Sequence, residues 1–185
     1  MTDKNHIETQ TQIERWLDET VIGLNLCPFA KQPRNAGRIA IEIVSSSDED
    51  AIYEHFLKAA YALIATPIEE VETTLLVLQS GFEEFEDYLD LLDQLETLID
   101  LNEWRGTFQI ASFHPRYQFE GTQPNSRENY TNRSPFPVFH LLREDSVSKA
   151  RLLHPDTEAI PERNITLLEE MDDERFDSLF RHKSK

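Results

Sequence analysis

The sequence predicts an α/β domain: one small, mostly parallel sheet of about four strands flanked by helices. Three observations carry that reading. Short runs of β-branched and apolar residues alternate with longer segments of helical periodicity. The order along the chain is helix–strand–helix–strand–helix–strand, then a long loop, a fourth strand and further helices. Strand–helix–strand units imply parallel neighbours joined by crossovers, so the first three strands are expected to run parallel, with the fourth free to run antiparallel. The 185 residues suit a single domain. No linker, internal repeat or low-complexity tract divides them, and residues 1–6 and 181–185 are expected to fray.

The elements follow in order. Residues 9–25 read as a helix, with Ile13, Trp16, Leu17, Val21 and Leu24 on one face and Pro28 and Pro33 ending it. Residues 38–44, Arg-Ile-Ala-Ile-Glu-Ile-Val, alternate as a strand. Ser45 to Asp50 then supply caps and first-turn acids, with Ser46 and Glu49 spaced as a capping box. The helix they open carries Ile52, Phe56 and Leu63 and stops at Pro67. Thr73 to Leu78 is an uninterrupted apolar run, the pattern of a strand buried on both faces.

Residues 83–101 give a third helix, with Phe85, Leu89, Leu92 and Ile99 on one face and Glu84, Asp87, Asp90 and Asp93 on the other. That acidic side reads as a solvated face in preference to a docking surface. A third strand is expected over 107–113 after Gly106. A loop of roughly 22 residues follows, and loops of that length tend to be functional or disordered. Its Phe, Tyr and Arg content predicts order. A fourth strand over 137–143 and helices over 145–153 and 160–181 complete the chain.

The net charge of −17 argues against nucleic acid and anionic membrane surfaces as partners. No run approaches the ~20 apolar residues that span a bilayer. The polar start lacks the basic and apolar regions of a signal peptide. One cysteine, Cys27, leaves no internal disulfide. A cytoplasmic protein is the expectation.

Charge is distributed unevenly. Residues 46–103 hold 16 acids and one base, Lys58, whereas residues 114–151 hold six bases and four acids. Residues 27–41 hold Lys31, Arg34 and Arg38 and no acid. A cationic zone on an acidic chain suggests an anionic small molecule, since a guanidinium grips carboxylate or phosphate with two bonds. The plainer reading is that these bases pair with the acidic surface.

Cys27 sits in Leu-Cys-Pro-Phe-Ala-Lys, where Lys31 could favour thiolate. His114 or His140 could serve as its base. Against this, free cysteines are usually buried and inert. His114 is expected at the carboxyl edge of the sheet, where ligands gather in such folds. His140 lies between Phe139 and Leu141; alternation puts it on the opposite face, and a satisfied structural histidine is the expectation. His6, His55, His154 and His182 read as surface positions. The run from Asn129 to Pro137 packs Asn129, Asn132, Arg133 and Ser134 together, suited either to a polar ligand or to stapling the long loop. Tyr117 could wall a pocket, and Arg143 could add a cation. Metal-ligand spacings are absent, so no metal centre is expected and no particular cofactor is implied.

These segments carry a resemblance. Gly23 to Lys31, Gln109 to Phe119, and Asn129 to Pro137 running on through His140-Leu-Leu-Arg-Glu144 resemble an uncharacterised bacterial family, domain-of-unknown-function family 1415. The first helix and the Ile160 to Asn164 segment match too, so the likeness covers nearly the whole chain. It implies no activity. It does imply that the polar segments singled out above define the family.

The function expected from the residues is a small-molecule enzyme at the carboxyl edge of the sheet. Lys31, Arg133, Asn129, Asn132, Ser134, Tyr117 and Arg143 would hold an anionic substrate, His114 would act as general acid or base, and Cys27 would be a possible nucleophile. The alternative is a non-catalytic module for an anionic metabolite or a protein partner, which needs no meeting of Cys27 and His114.

Overall fold

Four strands form a single mixed sheet in the order β1-β2-β4-β3, with β1 Ile39–Val44, β2 Thr73–Leu78, β3 Phe108–Phe113 and β4 Val138–Arg143. The computed structural model describes residues 2–153 and 156–180. The expectations for His154, for His182 and for fraying at 181–185 fall outside that part. Helices are α1 Thr2–Arg15, α2 Lys31–Asn35, α3 Glu49–Ala65, α4 Phe85–Leu101, α5 Glu144–Leu153, α6 Ile160–Glu170 and α7 Asp173–Phe180. Helix α1 begins at Thr2, within the segment for which fraying is expected.

The expected mostly parallel sheet is corrected. Only β1 and β2 pair in parallel; β4 is antiparallel to both β2 and β3. The first three strands do point the same way, but the crossover through α4 leaves a gap one strand wide. The long 114–137 connection returns β4 beside β3 and into that gap. A loop of this length can reverse the chain, and sequence periodicity carries no information about which slot the returning strand takes.

Two layers cover the sheet. On one face, Phe56 and Leu63 of α3 and Tyr88, Leu91, Leu95 and Ile99 of α4 pack on Leu76, Leu78, Phe139 and Leu141. Of the predicted α4 face, Ile99 is fully buried, Phe85 and Leu92 pack at the margin of the cluster, and Leu89 is exposed. On the other face, Ile13, Trp16, Leu17 and Val21 pack on Ile43, Leu75, Val77 and Val138. Here the helix widens into a π segment, Trp16–Ile22. Gly23 closes it, where a Cβ would lie 2.2 Å from the Glu19 carbonyl oxygen, so only glycine fits. A third cluster joins Leu24, Leu26 and Tyr130 to Leu168 of α6, Phe176 of α7 and Met171 between them. The predicted 160–181 helix is in fact two, broken where Met171 turns extended. Arg127 donates to the Leu168 and Met171 carbonyls at that break.

The cap of α3 also differs from expectation. Asp48, one residue before the helix, accepts the Ala51 N–H at 3.1 Å, and Ser46 accepts the Asp48 N–H. At the carboxyl edge, Gly81 has φ +78° and lies so close to Ser47 that a Cβ would meet that side chain at 2.6 Å. This contact closes the β1 and β2 loops against each other.

Candidate functional site

Phe113, the last residue of β3, points to the α1 face. Alternation then sends His114 to the α3–α4 face. There its ring is fully buried against Phe85 and Tyr88, with centroids 5.3 and 5.0 Å away. Nε2 lies 2.8 Å from the Phe82 carbonyl, and Nδ1 accepts the Arg116 N–H at 3.0 Å. The carbonyl requires Nε2 to carry the proton, so the ring is the neutral Nε2–H tautomer with both nitrogens engaged. Burial, ahead of its neighbours' charges, pushes its pKa down. His114 is thereby a strut between two loops of the carboxyl edge.

Cys27 lies in the other layer, against the cluster of Ile13, Trp16 and Val138. The sheet separates it from His114. Burial pushes its thiol pKa up, against the opposing pull of the Phe29 and Ala30 N–H groups. Among the described residues no hydrogen bond joins its sulfur to a histidine. The expected pairing of Cys27 with His114 is not what the geometry builds, because successive residues of a strand project to opposite faces.

The arginines and amides expected to hold an anion serve the backbone. Arg133 donates to the carbonyls of Tyr117 and Pro124, at 3.2 and 2.6 Å, and lies 4.1 Å over the Tyr130 ring. Arg143 spans the carbonyls of Leu63, Thr66 and Val71 where α3 ends. Asn129, fully buried, accepts from the Phe119 N–H and the Thr122 hydroxyl and donates to the Gln123 carbonyl. Asn132 donates to the Ser112 carbonyl and Ser134 to the Phe136 carbonyl. Tyr117 packs its ring on Phe85 and Phe119. Lys31 opens α2 and is exposed. The long loop is thus ordered by its own side chains, which satisfies backbone groups that burial would otherwise leave unpaired.

The opening at the carboxyl edge has the opposite sign to the expected one. A cleft of about 340 Å³ is lined by Ser47, Glu49, Phe82, Asp87, Asp90 and Gln94. Among the described residues no group of three or more His, Cys, Asp or Glu side chains is arranged to hold a metal ion.

One polar group was underrated by the sequence. His140, in the middle of β4, faces the α1 side and stands opposite Leu75 on β2 and Ala111 on β3. Its Nε2 lies 2.7 Å from Thr73 Oγ1. The single hydroxyl proton of Thr73 goes to the Leu141 carbonyl at 2.5 Å, so Nε2 must be the donor. That leaves Nδ1 as an acceptor, and it has no hydrogen-bond partner among the described residues. The buried, unpartnered side-chain atoms there are Arg38 Nε, Glu72 Oε2, Arg143 Nε and Ser146 Oγ. Nδ1 is thus an acceptor left without a hydrogen-bond partner in a half-buried ring. Around it the sheet is only half covered: Ile41, Gln109, Ala111, Phe113 and Leu142 are all half-buried, whereas Phe139 and Leu141 on the other face are fully buried. Desolvation pushes the His140 pKa down to about 4. Alternation already placed this residue on the face opposite Phe139 and Leu141; Thr73 had no signal, hidden in an apolar run.

These features define a mixed-sheet α/β protein with an imidazole acceptor on its α1 face that has no partner among the described residues. The chain belongs to the family described as protein of unknown function (DUF1415), whose model matches residues 8–178. No curated protein and no solved structure matches the chain. No described helix is long and apolar enough to cross a membrane.

Proposed function

We propose that the chain is a small-molecule binding module whose recognising group is His140 on the α1 face, in place of an enzyme acting at the carboxyl edge. The observation that carries this reading is the Nδ1, unpartnered among the described residues, of a ring whose other nitrogen is locked to Thr73. An imidazole so fixed presents one acceptor in one direction, which is what specific recognition needs.

Turnover is less well supported. A general base works best with a pKa near the operating pH. His140 lies well below it, His114 has both nitrogens on backbone groups, and the Cys27 thiol is pushed toward its protonated form. Each of these favours holding a ligand over transferring a proton.

The test is a ligand-observed NMR screen of a small-molecule library against the wild type and His140→Phe. Phenylalanine keeps the ring volume and removes the acceptor. Hits that vanish in the variant support the reading. A set of hits that bind both proteins equally overturns it.

A further inference from the structure

Resting on that reading, we infer that the His140 site takes an uncharged molecule with an apolar body and one N–H or O–H donor, and discriminates against carboxylates and phosphates. The argument begins with charge. An anion site needs a cation or a cluster of free donors. Arg133 gives Nε and Nη2, and Arg143 its Nη2, to backbone carbonyls, while Arg127 is divided between the Leu168 and Met171 carbonyls and the Asp173 carboxylate. The depression of the His140 pKa has desolvation as its sole cause, with no charged group contributing. Near neutral pH the ring is therefore an uncharged acceptor, and a carboxylate brought to Nδ1 would set lone pair against lone pair.

The surroundings supply the second half of the argument. Leu75 and Ala111 flank His140 across the sheet, Val138 and Leu142 share its face along β4, and the Phe113 ring centroid lies 6.4 Å away. Gln109, opposite Leu142, adds an amide to this part of the face. Such a wall rewards apolar contact and makes a desolvated anion costly. A neutral donor gains the Nδ1 hydrogen bond and the burial together. Charge counting along the sequence leaves an anionic ligand and pairing with the acidic surface both open; Arg34, Arg38, Arg116 and Arg127 pair with Asp18, Glu72, Glu84 and Asp173, which favours the second.

The test uses matched aromatic probes on the intact protein: phenol, indole and benzamide as neutral donors, benzoate and phenyl phosphate as anions. Affinity is read by titration, and contact with His140 by the ¹⁵N shift of Nδ1 in ring-labelled protein. The neutral probes are expected to bind at least tenfold more tightly than the anions, to move the Nδ1 resonance, and to lose at least tenfold in affinity in His140→Phe. Anions that bind as well as the neutral probes while moving Nδ1 would overturn the ligand class and leave the site standing. An Nδ1 resonance that no probe moves would overturn the site itself, and the ligand class with it.

Discussion

His114 donates from Nε2 to the Phe82 carbonyl, 2.8 Å away, and so joins the end of β3 to the turn that follows β2. Phe82 has φ +59° and follows Gly81 at φ +78°, so the turn it belongs to is held in a conformation that L side chains rarely adopt. The ring restrains that turn from one side while its Nδ1 restrains Arg116 from the other. Replacing His114 with Ala leaves the Phe82 carbonyl and the Arg116 N–H unpaired and opens a cavity between Phe85 and Tyr88. The expected loss is about 3–5 kcal/mol of folding stability, measured by urea denaturation. A loss under ~1 kcal/mol would show that the strut is dispensable.

Stability should fall on mild acidification, with a sign set by the two inner histidines. Both have folded pKa values below the unfolded value of about 6.5. The unfolded chain therefore takes up protons first as the pH drops, so their contribution is complete above about pH 6.5 and is lost below it. For His140 the loss runs down to about pH 4. At roughly 1.4 kcal/mol per pH unit that amounts to about 3.5 kcal/mol at most. Denaturation midpoints between pH 4.5 and 7.5 should show a shallower slope for His140→Phe than for the wild type. Parallel slopes would mean that His140 titrates normally.

Arg143 holds the end of α3 through a single nitrogen, Nη2, facing three carbonyls, and its charge sits where the helix dipole is negative. Lysine keeps the charge but lacks the planar fork. Arg143→Lys is expected to cost about 1–3 kcal/mol and to speed amide exchange over residues 62–72, leaving β2 protected. Unchanged exchange there would remove Arg143 from the capping role.

Cys27 should react slowly. Its thiol is pushed above the ordinary range by burial, and only the thiolate attacks alkylating agents. Iodoacetamide at pH 8 is expected to modify the folded protein at least ~10-fold more slowly than the urea-unfolded chain. Fast alkylation of the folded form would restore Cys27 as a candidate nucleophile.

The sequence by itself determined most of the elements, though not α2 or the break between α6 and α7. Residues Ile13, Trp16, Leu17, Val21 and Leu24 were read as one helix face and all are buried. The four strands were legible because alternation and apolar runs are local signals, and β2 occupies the 73–78 run as read. The coarse α/β class followed from their order. Tertiary structure decided three things that local pattern does not encode. It placed β4 between β2 and β3, because a long loop can deliver a strand to any open slot. It set His114 and Cys27 on opposite faces of the sheet, because one residue of register exchanges the faces. It also wired Arg133 and Arg143 to carbonyl oxygens, which no count of charges along the chain can foresee, and left His140 Nδ1 without a hydrogen-bond partner among the described residues. Hydrogen-bond satisfaction belongs to the packed molecule: a side chain's chemistry is fixed by its type, but its availability depends on what the fold brings within 3 Å.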